Sequence, residues 1–385
     1  MPPPHDRSRS LRAATWALRA QFFVAGALFA TWGVHVPSIK AHYALGESSL
    51  AIAMLASGAG AIGALVLAGK VLARHAPRRV VPLTGVICVA AVASLLLPTA
   101  YALLLALMLA YGMAAALFDV AINDEATEVE RRAQRPLMSG FHGMFSLGGM
   151  GGSAAWSLLA AAGVSPGQHL VGASTALGVL ALAGSRFMLR QQRSGQEGGA
   201  PLSLPHGPLV LLGLLAAMGL VGEGALYDWS VLYMRQELGS AASSASLGYA
   251  SFSGAMAAGR FGGDWVRARM APVTLLRCSG ALGAVGMALA LAIPQPWAAL
   301  AGFALVGLGF ANIVPVLFSA AGQLPGIPPA HGIAAVSSVG YCGLMAGPPM
   351  IGFIAEARSL TAGLLVVIVF AVAVAGFSRR ALRTG

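Results

Sequence analysis

Apolar runs separated by short polar breaks recur from one end of the chain to the other. Twelve of them approach or exceed the roughly 20 residues that a helix needs to cross the hydrocarbon layer of a bilayer. They cover residues 15–38, 48–72, 80–97, 102–122, 136–162, 169–189, 208–232, 245–266, 272–293, 297–321, 331–355 and 359–377. The pattern predicts an all-α membrane protein of twelve transmembrane helices. The seventh run departs from the others. Its stretch MGLVGEGALYDWSVLYMRQE, residues 218–237, places Glu223, Asp228, Trp229 and Tyr233 inside an otherwise apolar helix. A carboxylate in hydrocarbon costs on the order of a few kcal/mol or more, so it persists where it faces a cavity, finds a partner or takes up a proton.

Between the sixth and seventh runs the sequence changes to RQQRSGQEGGAPLSLPHGP, which is polar and rich in Gly, Ser and Pro. It predicts a linker at 190–207 between an N-terminal bundle, 1–189, and a C-terminal bundle, 208–385. The two halves resemble each other. GALFATW at 26–32 is followed by Leu45 and Gly46, and GALYDW at 224–229 is followed by Leu238 and Gly239. A repeat this long is one six-helix bundle duplicated. Because six is even, the copies are parallel, with a solute site expected near the midplane between them.

Composition removes the soluble classes, since 57% of the 385 residues are hydrophobic and only 10% are charged. The net charge of +11 would point to nucleic acid in a soluble protein,. Its distribution gives a different account. With the amino terminus inside, every Lys and Arg except Lys40, Arg235 and Arg358 falls on the cytoplasmic side, and both termini lie in the cytoplasm,. The N-terminal Arg cluster precedes a run that is too long for a signal peptide and lacks a cleavage site. Cys88, Cys278 and Cys342 fall in predicted spans without metal spacing, which predicts neither disulfide nor zinc and leaves them as small packing residues,. No cofactor is expected.

Glu223 is the principal candidate for proton coupling: about fifteen residues into its helix, it lies roughly 22 Å from the start, near mid-span. The alternative is a neutral acid bonded to a neighbouring helix. Asp228 lies on another face and could serve an outer gate with Arg235. Asp119 and Asn123 are four apart on one helical face and could hold a hydroxyl or ammonium, or pair structurally with His142 or the loop arginines. Asp124, Glu125, Glu128 and Glu130 face Arg131, Arg132 and Arg135 in a predicted surface pairing. Trp32, Tyr227 and Trp229 occupy repeat-related places where an aromatic can grip a ring or cation, or simply pack. Asn312 and Tyr341 could add hydrogen bonds to a solute, whereas His35 as a lone His suits a structural role. Pro348 and Pro349 are expected to break the eleventh helix.

The segment GRFGGDWVRAR, 259–269, collects Gly259, Arg260, Gly263, Asp264, Arg267 and Arg269 in a predicted loop, either a charged gate or a static topology signal,. With the twelve spans and two halves, this segment resembles the major facilitator superfamily and its G-x-x-x-D-x-x-x-R loop motif. The first-half loop GKVLARHAPRR, 69–79, lacks the acid, so a cytoplasmic latch would rest on Asp264. FDVAIN, VERRAQRPLMSGFHGMFSLGG, EGALYDWSVLYM, GFALVGLGFANIVPVLFSAAG and VGYCGLMAGPPMIGFIAE, in that order, are similar to a bacterial group that includes the rhizopine permease MosC. Asp124 and Glu125 stand where that group is usually uncharged. The resemblance implies alternating access to a small polyhydroxylated or amino-bearing ring compound.

These features predict a secondary transporter of the bacterial inner membrane, a monomer whose partners are a small solute, protons and lipid, with no nucleic acid. Proton-coupled uptake is the first expectation and proton-antiport export of drugs or metabolites the second. Without GxxxxGK[ST], GxSxG or HExxH, neither an ATP-driven pump nor an intramembrane enzyme is expected. A non-transporting receptor would leave Glu223 without a cycle to serve.

Overall fold

Helix is the only regular structure among the described residues, 4–189 and 206–382, of the computed structural model. The expected linker therefore lies, from 190 to 205, outside the described residues. The helices are α1 (Pro4–His42), α2 (Glu47–Arg74), α3 (Pro77–Ala93), α4 (Tyr101–Ala133), α5 (Met138–Ala161), α6 (Pro166–Ser185) and α7 (Pro208–Gln236). They continue as α8 (Ala242–Phe261), α9 (Gly263–Arg267), α10 (Pro272–Ala292), α11 (Pro296–Phe310), α12 (Ile313–Ala321), α13 (Pro329–Ala357) and α14 (Leu360–Ala381). By length and composition, eight apolar stretches among the described residues can cross a membrane, with α11 and α12 counted as one, 296–321. The other long helices fall short for visible reasons: α3 has 17 residues, α5 and α8 are diluted by Gly and Ser, and α6 opens on Pro166, Gly167, Gln168 and His169.

Sequence chemistry sets most of the ends. Pro occupies the first turn of α3, α6, α7, α10, α11 and α13, where its missing N–H has no helical partner to lose,. Ser165 and Gln168 form a reciprocal capping box on α6,. Ser359 caps α14, and the Glu237 carboxylate accepts from the Leu360 N–H at 3.1 Å.

The chain forms two compact units, one of residues 1–44 and 56–199, the other of 45–55 and 200–385. In the first, α1 packs along α5 and α6, and α3 packs against α4 and α6. In the second, α7 packs along α13 and α14, and α10 lies between α11 and α14. Glycine makes the tightest crossings. A methyl group on Gly148 of α5 would sit 2.1 Å from the Phe23 carbonyl oxygen of α1, and one on Gly343 of α13 would sit 2.7 Å from the Ala217 Cα of α7. Such approaches let dispersion and backbone dipoles hold helices together where lipid removes the hydrophobic drive. The start of α2 belongs to the second unit. Glu356 of α13 accepts from the Ser48 N–H at 3.1 Å, and one turn earlier Gly352 faces Ala51.

The interruption lies elsewhere than expected. α13 runs through Pro348 and Pro349, because Gly343 and Gly347 seat it on Ala217 and Val221 of α7 and packing holds the helix where the ladder is lost,. The break falls instead at Ala311 and Asn312, between α11 and α12. Pro315 accounts for it, since its ring opposes the carbonyl four residues back, at Ala311. The cysteine expectation also needs correction: Cys88 is buried, but Cys278 of α10 and Cys342 of α13 are exposed.

Candidate functional site

α7 and α8 run antiparallel through a short turn, and their lengths explain the main contact of the second unit. Glu223 is thirteen residues before the end of α7, about 20 Å from that turn, while Arg260 is eighteen residues into α8, about 27 Å from it,. An arginine side chain leans toward the N-terminus of its helix and spans the difference. Its Nη2 donates to Glu223 Oε1 at 2.8 Å, the length of a charge-assisted hydrogen bond,. Glu223 is only 8% exposed. Arg260 thus belongs to α8 and to Glu223; the predicted loop begins only after it. An arginine in the last turn of a membrane helix ordinarily snorkels toward water, so its inward reach is a departure with a cost.

Aromatic and small residues enclose the pair. Tyr227, one turn after Glu223, lies against Tyr249 and Phe252 of α8, with centroids 5.0 Å away in both cases. Phe310 wedges between Gly222 and Gly283, where added methyl groups would meet its ring at 2.2 and 2.3 Å. Asp228 is also buried, at 8% exposure. Trp229 is fully buried, its indole tip beside Gly352 and its Nε1 without a hydrogen-bond partner. It packs α7 against α13. Tyr341 is 43% exposed on α13. Arg235 donates to the Ser240 carbonyl at 2.9 Å.

In the first unit Asn123 Nδ2 donates to both the carbonyl and Oδ1 of Asp119, at 2.9 and 3.1 Å. The two share a face, and the amide hydrogens are directed back to the acid. His142 meets the Phe22 ring edge-on at 5.3 Å, and Trp32 is buried within α1. Glu128 makes the surface pairing expected of the nearby acids, binding Arg131 and Arg132. Glu125 is fully buried and accepts from the Leu189 N–H beyond α6; Glu130 accepts from the N–H groups of Leu137 and Met138, where α5 starts. Both serve unpaired amides near helix ends, which a linear charge pattern does not reveal.

The expected gate divides. Gly259 is a packing residue, since a methyl group there would meet Ala311 Cβ at 2.6 Å. Asp264 pairs with Arg267, whose Nη1 donates to Asn312 Oδ1 at 3.3 Å. Asn312 is therefore tied to α9 at the α11–α12 interruption. Gly263 leaves room for that approach, because a methyl group would meet Asn312 Oδ1 at 2.7 Å. Arg269 lies over the Trp265 ring at 4.2 Å and donates to its carbonyl.

One buried polar pair escaped the sequence. His35 Nε2 and His169 Nδ1 are 2.8 Å apart, and the Trp156 ring packs on both imidazoles, 4.4 and 4.8 Å between centroids. His35 is thus not a lone His. The available signal was the capping box at Ser165, which puts His169 in the first turn of α6, but nothing in the linear order joins it to α1. Among the described residues, no cluster of three or more His, Cys, Asp or Glu is placed to hold a metal ion.

The sequence profile of the Major Facilitator Superfamily matches residues 18–331. An uncharacterized MFS-type transporter of Yersinia pestis is 34% identical over 366 residues, covering 95% of this chain and 95% of the relative. The membrane protein MosC of Rhizobium meliloti is 33% identical over 372 residues, covering 93% and 88%. Among solved structures, a D-xylose-proton symporter superposes with a TM-score of 0.78 at 14% identity, over 95% of this chain and 96% of that one. The nucleoside transporter NupG superposes with a TM-score of 0.69 at 13% identity, over 96% and 98%.

Proposed function

Because the chain belongs to the major facilitator superfamily, we propose that it is a proton-coupled secondary transporter that takes up a small polar solute, of the cyclitol, sugar or amino-sugar class, by alternating access. In this proposal twelve helices span the bacterial inner membrane with both termini in the cytoplasm, and the halves 1–189 and 208–385 rock about a central site. The superfamily, the multi-pass membrane character and the fold give the frame. The solute class rests on likeness to MosC and to sugar and nucleoside carriers.

The observation that carries the proton reading is the Glu223–Arg260 pair, a carboxylate and a guanidinium bonded at 2.8 Å, with Glu223 buried among small and aromatic residues of α7 and α8. A proton arriving at Glu223 cancels its charge and releases Arg260 from its strongest attraction; loss of the proton restores the pair. This makes two states of the α7–α8 contact that differ by one proton, the kind of bistable element a coupled carrier needs. Asp119 and Asp228 are the secondary proton candidates, and Tyr227 is the aromatic beside the pair.

The test is uptake into proteoliposomes with an imposed pH gradient, using cyclitols, amino-sugars and hexoses that raise the thermal midpoint of the purified protein. Glu223→Gln should abolish accumulation driven by the gradient while exchange of internal for external solute persists. Undiminished gradient-driven accumulation in this variant would remove Glu223 from coupling.

A further inference from the structure

A cavity of about 550 Å³ opens at the end of the second unit where α7 and α10 begin and α12 and α14 finish. Leu212, Leu275, Val316 and Leu324 make much of its wall apolar. Its polar groups are Arg267, Ser319 and Gln323. The Gln323 amide donates to Ser319 Oγ at 2.8 Å, so amide and hydroxyl are held together on one wall. Arg267 reaches the cavity while it also binds Asp264 and Asn312.

The surroundings locate this cavity at a membrane–water boundary. Trp265 is exposed under Arg269, and Phe377 is exposed with Arg380 5.7 Å from its ring. Exposed aromatic rings beside guanidinium groups are characteristic of the interfacial belt. Arg267, Arg269, Arg379 and Arg380 outnumber Asp264, the acid on α9, so the local charge is positive. A ligand that fits must combine an anionic head at the polar wall with an apolar body along the leucine wall.

We propose that this cavity is a binding site for an anionic phospholipid. Its phosphate binds Arg267, its headgroup hydroxyls meet Ser319 and Gln323, and its acyl chain lies along Leu212, Leu275, Val316 and Leu324. Basic pockets between membrane helices bind acidic headgroups by this combination. The phosphate competes with Asp264 for Arg267, so an occupied site loosens the tie from α9 to Asn312 at the α11–α12 interruption. The proposal concerns binding alone and stands independently of any transported solute.

The experiment is native mass spectrometry and thermal shift on the full chain in neutral detergent, titrated with phosphatidylglycerol and, in parallel, phosphatidylcholine of the same acyl chains. Arg267→Gln should weaken phosphatidylglycerol binding about fivefold and phosphatidylcholine, whose phosphate is offset by its own ammonium, clearly less. Ala320→Leu, which fills the cavity and keeps the charge, should reduce binding of both lipids, while Arg74→Gln, outside the cavity, should change neither. Equal affinity for the two lipids, or phosphatidylglycerol binding indifferent to both Arg267→Gln and Ala320→Leu, would overturn the proposal. A shift of the same size with inorganic phosphate would also overturn it, by making the site one for a soluble anion. Any variant whose lipid-free midpoint falls well below the parent is replaced by Gln323→Leu, for which a loss of phosphatidylglycerol preference is expected and an unchanged preference counts against the site.

Discussion

Among the described residues, a buried polar pair joins α7 to α8 in the second unit and another joins α1 to α6 in the first, and the two pairs are built on different principles. In the second unit Glu223 of α7 and Arg260 of α8 carry opposite charges, each needing the other to remain in an apolar setting,. In the first unit His35 of α1 and His169 of α6 share one hydrogen bond under Trp156, and two imidazoles do so without either being charged,. In the proposed cycle the first arrangement is the one that changes when a proton arrives. The second is a fixed strut whose partners and aromatic cover define one geometry. A charge pair between helices suits a part that must exist in two states, and a neutral pair suits a part that must hold still.

The largest effect should come from splitting the charged pair. Arg260→Met leaves an acid buried without its cation and should cost about 3–5 kcal/mol, read as a fall in thermal midpoint. Adding Glu223→Gln to it should return most of that loss, since the orphaned charge is then gone. A single-variant cost below about 1 kcal/mol would mean the pair is effectively solvated, and its contrast with the histidines would vanish. The histidine pair should come next. His169→Ala orphans His35 and opens a void beside Trp156, together about 3 kcal/mol. Gradient-driven uptake should nevertheless keep the pH profile of the parent; a displaced profile would make the pair a second proton site and end the distinction.

The sequence made one of these pairs half visible and hid the other. Glu223 is conspicuous because an acid in an apolar run contradicts its surroundings, and that contradiction is local. Its partner was not visible, because Arg260 sits in a run of loop-like glycines and cations, and only the relative lengths of α7 and α8 direct it to Glu223. His35 and His169 are 134 positions apart and join through a helix crossing that hydrophobic pattern does not specify. Helix positions were legible because apolar length and Pro at the first turn are local signals,. The true interruption was not: Pro315, Pro348 and Pro349 look alike in sequence, and the packing of Gly343 and Gly347 decides which helix continues. Glu125 and Glu130 show the same limit, since a carboxylate that serves another helix's free amides looks, in one dimension, like one that serves the nearest arginine.

Glycine sharpens the comparison at lower cost, because it separates helices that are locked from those that are free. Gly148→Ala puts a methyl group against the Phe23 backbone, which cannot move aside without displacing α1, and should destabilise by about 1–2 kcal/mol,. Gly172 on α6 has nothing within 4 Å of an added methyl group, so Gly172→Ala should be neutral or stabilise by up to about 1 kcal/mol,. Thermal midpoints of the two variants should therefore move in opposite directions or differ clearly. Equal losses would show that α6 is packed at Gly172, on the face that the structure leaves open.

The smallest stability effect is expected at Asp264, whose side chain is 59% exposed and whose partner Arg267 also binds Asn312. Water screens such a pair, so Asp264→Asn should cost less than about 1 kcal/mol. Its functional effect is a separate matter, because Arg267 then holds Asn312 without competition. If α9 works as a latch on the α11–α12 interruption, Asp264→Asn changes the rate of solute exchange while the thermal midpoint stays within about a degree of the parent. An unchanged exchange rate makes this ion pair a static feature of the boundary. The claim to the cycle then passes to the buried pair on α7 and α8.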